Sequence, residues 1–308
     1  MHIVPNGSGI AVRRMAMVVI VVWGAIFIEG SAAMEQERSF QFEGVRSITV
    51  SAVVGNIQIR QGDQPLCLVD FKNELKQPAM QPPMVEFEAG ELRITEIVGD
   101  GRQEGSTHWV ITLPDTVNVD RIDCTTINGE IAVKGNGLSM RAEVPDTTLT
   151  GRLRTRELRL VTRSSGRVSV KGVQAESMEI TTAMASIMLD ACIIDRRAVL
   201  ATVEGNVKVS LPYLPRERFE ASSTTGTVEL SVPEFGAHFT LLIRNYQGKG
   251  TVQSPFPCTE KPEPQYDKSD IYRTEQCLVK RGEGGPDVRL STGTGKVKLR
   301  TKNDTDGR

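Results

Sequence analysis

Ile122-Asp123-Cys124-Thr125-Thr126-Ile127-Asn128-Gly129-Glu130-Ile131-Ala132-Val133 is one unit of a pattern that recurs along the chain. An apolar-x-apolar pair leads into a turn residue, and x-apolar-x-apolar follows. Aligned on the turn residue, the unit returns at Gly129, Thr147, Gly166, Ala185, Gly205, Gly226 and Gly295. The first six are separated by 18, 19, 19, 20 and 21 residues, and Val50–Ile59 is an earlier copy. Two residues after the turn stand Ile131, Leu149, Val168, Ile187, Val207, Val228 and Val297. Five residues before it stand Cys124, Ala142, Val161, Ile180, Leu200, Ala221 and Leu290. Both columns are apolar throughout.

Period-two alternation with β-branched residues on one side is the pattern of half-buried strands. Glycine at the turn reads as a backbone that needs a positive φ, and Asn128-Gly129 is the strongest such dipeptide. A five-residue strand cannot bury its apolar face alone. At a fixed period, each unit becomes one rung, paired in parallel with the next at ~4.8 Å, so that equivalent side chains pile into columns. Antiparallel hairpins would also alternate, but they would not hold the same columns in register over six or seven units. The expectation is an all-β, parallel β-helix or solenoid-like roll of ~19–21-residue rungs. Residues 34–300 read as a single solenoid domain, with irregular strands over 34–120 and regular rungs over 121–232 and 287–300. An insertion spans 233–286, in which Phe239–Ile243 could be a strand and the Pro-rich 254–268 reads as loop. Residues 301–308 read as a disordered polar tail.

Residues 1–33 read as a secretory signal. Arg13 and Arg14 precede an apolar run from Met15 to Ile28, and Ser31 and Ala33 fit a small-residue cleavage rule, so that the mature chain would start at Met34. The run is 14 residues long, against the ~20 that a spanning helix needs. The alternative is an uncleaved anchor through residues 15–28, and membrane contact is expected only in that case. The expected location is the periplasm or cell surface. With 37 basic and 38 acidic residues there is no basic excess to hold nucleic acid, and aromatics at 5% offer no base-stacking platform. Five cysteines suit an oxidising compartment. Cys258 and Cys277 lie in one polar segment and are the expected disulfide. Cys124 falls in an apolar column and reads as core, and the pairing of Cys67, Cys124 and Cys192 stays open.

Ile111-Thr112-Leu113-Pro114-Asp115-Thr116-Val117, the Ile122–Val133 unit and the closing Gly282-Glu283-Gly284-Gly285 before Val288-Arg289-Leu290-Ser291-Thr292 resemble the bacterial "putative adhesin" domains of unknown function, relatives of the adhesin-head GIN type. The resemblance covers roughly residues 40–300. It implies a right-handed β-helix-like roll, a place in the cell envelope and no assigned activity.

A search for chemistry returns little. Gly282–Gly285 lacks the lysine of a phosphate-binding loop, and no nucleophile elbow is present. No catalytic residue, cofactor or metal site is expected. His108 and His238 read as surface residues. Asp190, Asp195, Arg196 and Arg197 are the nearest approach to the carboxylate and arginine group of a polysaccharide-active β-helix enzyme, which stays as the alternative. Arg152, Arg154 and Arg156 share strand parity and form a candidate anion or glycan patch, with Glu157 and Glu176 nearby to balance it. Hydroxyls at Thr125, Thr126, Thr162, Thr181, Thr182, Ser222 and Ser223 could form a ladder. The reading is a non-enzymatic, exported envelope module that engages an envelope polysaccharide or another envelope protein. Oligomerisation or assembly into a scaffold stays open.

Overall fold

The computed structural model describes residues 36–75, 82–97, 105–115, 117–135, 153–232, 239–245, 252–258, 275–281 and 285–301. Among them are twenty strands and no helix, joined in one continuous sheet. The signal region, the turn at Thr147, Arg152, His238, and most of the Pro-rich segment and of the tail lie outside the described residues.

Parallel pairing in register is the main feature. On the strands before the turn, Val50 partners Cys124, which partners Leu160, then Ile180, Leu200, Ala221 and Leu290 in succession. On the strands after the turn, Ile57, Ile131, Val168, Ile187, Val207, Val228 and Val297 follow one another in the same way. Each of these side chains is at most 1% exposed, and all belong to one hydrophobic core. The fold is solenoid-like, and its core is the stack of these columns.

Three details differ from the sequence reading. Cys124 pairs directly with Leu160, and Ile131 with Val168, so no rung built on Thr147 stands between Gly129 and Gly166. In the Gly166 rung the inward residue is Leu160 rather than Val161. The register shifts between Thr162 and Ser165, and that extra residue moves the column by one. The strand expected at Phe239–Ile243 is present, and it belongs to the stack rather than interrupting it. Phe239–Asn245 and Val252–Gln253 form a further rung on the outer side of Asp287–Thr292 and Val297–Thr301.

Gly166 has the positive φ expected of it (155°), but four other turn glycines are there for a different reason. Gly129, Gly205, Gly226 and Gly295 are not among the positive-φ residues, whereas Gly44 (φ 72°) and Gly172 (φ 62°) are. What forbids a side chain is the neighbouring rung. A Cβ on Gly226 would lie 1.8 Å from the carbonyl oxygen of Gly205, and one on Gly295 would lie 1.9 Å from that of Gly226. Beside each turn a buried hydroxyl completes the contact. Thr126 donates to the Gly55 carbonyl (3.0 Å), Thr202 to Ala185 (3.1 Å), Ser223 to Gly205 (2.8 Å) and Thr292 to Gly226 (2.8 Å). The hydroxyl ladder therefore points inward and satisfies turn carbonyls that would otherwise be buried without partners. Thr125, Thr181 and Ser222, of opposite parity, face outward.

Antiparallel strands cover three of the four outermost parallel strands among the described residues. Met84–Glu88 covers Glu91–Thr95, and Cys67–Asn73 covers Thr107–Pro114 with Gln36–Phe42 beyond it. At the other end Glu275–Arg281 covers Phe239–Asn245. Cys277 on that covering strand is bonded to Cys258, just past the short Val252–Gln253 strand. Cys67, Cys124 and Cys192 are free thiols, all buried.

Candidate functional site

The most developed surface feature is a charged corner on the first strand of successive rungs. In Leu153–Lys171 the buried residues are Leu153 and Thr155, then Leu158 and Leu160, so the alternation slips at Arg156–Glu157. A slip of this kind bends a strand and turns its polar residues outward. Glu176–Ser177, Arg196–Arg197 and Glu217 occupy the same place in the next three rungs. Together they line a depression of about 280 Å³.

Charge alternates from rung to rung. Arg156 Nε lies 3.7 Å from Glu176, Arg196 Nη1 lies 3.2 Å from the same carboxylate, and Arg196 Nε donates to Glu217 at 2.8 Å. The hydrogen bond to Glu217, and next that to Glu176, hold the Arg196 guanidinium more firmly protonated than an ordinary arginine. These groups are open to solvent, so the pairs fix side-chain positions more than they stabilise the fold. Arg197 lines the same depression and makes no ion pair among the described residues. The corner can present one free guanidinium beside an ordered row of both signs.

The corner joins two groups that the sequence reading kept apart, Arg156 of the arginine patch and Arg196-Arg197 of the polysaccharide-enzyme group. Arg154 is half-exposed on the same strand as Arg156. Asp190 and Asp195 are held separately. Asp190 closes the second strand of its rung and pairs with Lys171 at 3.3 Å, whereas Asp195 accepts the Arg216 backbone N–H through its own carbonyl. Glu176 and Glu217 carry two of the four charges in the ladder; the second was missed from the sequence and the first was noted only as a balancing charge.

Two other polar clusters bear on catalysis. His108 is half-exposed, with Ser106 Oγ at 3.1 Å and Glu74 Oε2 at 3.3 Å, but both approach the same nitrogen, Nε2. Nδ1 faces the Asn56 amide at 3.3 Å. A serine–histidine–acid relay needs the serine and the acid on opposite nitrogens. Glu96 is buried at 5% exposure in the column that elsewhere carries the turn hydroxyls. Its Oε2 accepts the Val53 backbone N–H at 2.7 Å and that of Val54 at 3.3 Å, and its Oε1 accepts Thr107 Oγ1 and Trp109 Nε1. Four donors enclose this carboxylate, which acts as an internal clamp. Among the described residues no three His, Cys, Asp or Glu side chains converge as a metal site would, and no helix is long and apolar enough to cross a membrane.

Residues 89–300, more than half of the chain, match the Toastrack DUF4097 family. The chain belongs to this family. The resemblance drawn from Ile111–Val133 and the later turns therefore holds, and the Toastrack match covers every regular rung. No curated protein matches the sequence. Among solved structures, the Toastrack chain is similar to a "putative adhesin" from Bacteroides fragilis (12% identity, 87% of this chain and 98% of that one, TM-score 0.41). It is also similar to a "putative cell adhesion protein" from Clostridium sporogenes (14% identity, 87% and 100%, TM-score 0.35). A third is a "putative lipid binding protein" from Parabacteroides distasonis (13% identity, 86% and 96%, TM-score 0.38). No functional argument is drawn from likenesses this distant.

Proposed function

We propose that the protein is an exported, non-enzymatic module of the cell envelope, adhesin-like in that it holds a polymer or another envelope protein against a rigid face. On this reading the rungs run 19–21 residues and wind as a right-handed parallel β-helix. The observation that carries it is the charged corner. Four successive rungs place an ordered, solvent-open row of charges around one free arginine, while Asp190 and Asp195, the acids of the enzyme alternative, stand on different strands and Asp190 is paired with Lys171. Rigid display of polar groups is what a recognition surface requires, and repeat stacking supplies it at low cost in flexibility. A rod assembled end to end is less favoured, because among the described residues antiparallel strands cover three of the four outermost parallel strands.

The test has two parts. Fractionation of the native host followed by N-terminal sequencing should find a chain starting at or near Met34 outside the cytoplasm. Full-length protein in the inner membrane would instead favour the anchor through residues 15–28. Purified protein should be retained by envelope fractions, and Arg197→Ala should weaken that retention. Steady release of reducing ends from acidic polysaccharide would replace this proposal with the enzyme alternative.

A further inference from the structure

A second surface, on the strands after the turn, carries a charge pattern that the stacking physics disfavours. Arg60 partners Lys134, and Lys134 partners Lys171, on three adjacent parallel strands. All three are exposed. This is the only run of three like charges in register among the described strands. Like charges directly opposite one another across strands destabilise a sheet. The column is only partly relieved. Lys171 reaches Asp190 at 3.3 Å, Arg60 spends its Nε on Thr112 Oγ1 at 3.1 Å, and Lys134 has no ion pair among the described residues. The contrast with the corner is direct, since the same stacking there alternates sign at every step.

Beside the basic column lies a low floor. Gln58, Ala132 and Ser169 are in register with each other, one alternation step away, and all are half-buried. On its far side stand Asn56, Glu130 and Arg167, a mixed row. A floor of small and amide side chains flanked by a line of cations suits a flat, hydroxyl-bearing ring whose acid group hangs to one side.

We propose that Arg60, Lys134 and Lys171 form a binding row for a linear anionic polysaccharide, with one acid group set against each cation. The chain runs along the stack axis, across the strands, and its rings lie over Gln58, Ala132 and Ser169. Guanidinium and ammonium donors make charge-assisted bonds to carboxylate or sulfate oxygens, and Ser169 and Gln58 meet ring hydroxyls. A bilayer surface fits less well, because the row is a single column of three cations rather than a broad basic patch. The inference deepens the envelope-module reading by naming a ligand class. It rests on that reading only for the choice of polymer, since the binding assay does not depend on export.

The experiment uses the purified protein and polygalacturonate as probe, followed by affinity electrophoresis and calorimetry against neutral dextran. Polygalacturonate should bind and dextran should not, with affinity falling as salt is raised. Arg60→Gln with Lys134→Gln should weaken binding about tenfold, from a few-fold for each exposed cation. Lys134→Arg should keep binding, and Arg93→Gln with Arg289→Gln, exposed cations on strands before the turn, should leave it unchanged. The Lys134→Gln protein should melt no lower than wild type, because a like-charge contact has been removed. Wild-type affinity in the double variant, no binding by the folded wild type, or binding to anionic vesicles in place of the polymer would each overturn the proposal. Unchanged envelope retention in Arg197→Ala with this row still active would count against the corner alone.

Discussion

Gly226→Ala tests why the turns use glycine. A Cβ there would sit 1.8 Å from the Gly205 carbonyl oxygen, 2.5 Å from its carbonyl carbon and 2.9 Å from Ser223 Oγ. Two of those atoms are backbone, so relief requires the rungs to separate. Forced overpacking of this kind typically costs about 1–3 kcal/mol. Separation also weakens the bond from Ser223 to the Gly205 carbonyl and the bond from the Gly226 N–H to Ser223, about 1 kcal/mol each. The expected loss is about 3 kcal/mol, read from the urea midpoint with circular dichroism and tryptophan fluorescence as paired probes. Gly44, with φ 72° and no atom within 4 Å of the place a Cβ would take, is the opposite case. There alanine should cost only about 1 kcal/mol, and asparagine less. At Gly226 the order should reverse, with asparagine worse than alanine because it is larger. If asparagine rescues Gly226 as it does Gly44, the close-approach argument is wrong and a backbone requirement replaces it.

Val207→Asp buries an unpaired carboxylate in a fully enclosed column and should cost several kcal/mol. Asn206→Asp should be nearly silent, since its Oδ1 accepts the Thr227 N–H at 2.8 Å and aspartate keeps an acceptor there. Glu96→Gln turns an NH₂ group towards donors and should cost about 3 kcal/mol, with Trp109 emission shifting in the folded protein. Serine at both Cys258 and Cys277 should lower stability by about 3 kcal/mol for a loop of about 20 residues, lost at the end that the bond ties. Burial pushes the Cys67 thiol up to about 12 from 9.0, and it raises Cys124 as well. Native protein at pH 8 should therefore resist alkylation at both. The folded state keeps these protons while the unfolded state releases them, so stability should fall as pH rises from about 9 towards 12 in alkaline denaturation curves.

The rungs were legible because burial repeats with the chain. Ile131, Val168, Ile187, Val207 and Val228 each had to be apolar for the next to pack, so the column is written in the sequence. Val161 was misplaced because an inserted residue near Ser165 alters neither composition nor alternation on either side of it. Gly129, Gly205, Gly226 and Gly295 were identified correctly and explained incorrectly, because a close approach between rungs and a left-handed turn select the same residue. The corner was within reach. Arg156, Glu176, Arg196 and Glu217 recur at 20, 20 and 21 residues, the period of the core itself, but they lie well before the turn, where no polar column had been aligned. Glu96 had no such signal, since its partners Val53, Thr107 and Trp109 come from two segments, on either side of it in sequence, that only the stack brings together.

The ends were illegible for a reason that belongs to solenoid stacking. Chain order and rung order agree through the middle, but not at either end. Glu91–Thr95 and Asn118–Thr126 lie on opposite sides of Ser47–Ala52, although they are nearest in sequence to each other. Asp287–Thr292 likewise slips between Arg218–Ser223 and Phe239–Asn245. A period search assumes that the next unit in the chain is the next unit in space, and it therefore read the outermost rung as an insertion. Both ends meet one physical demand. The last parallel edge must be covered, and a strand returning antiparallel does this only if the chain first goes out and then comes back. Going out builds the outer rung, and coming back inserts the inner one. The departure from sequence order is thus the means by which the chain itself covers three of the four outermost parallel strands among the described residues.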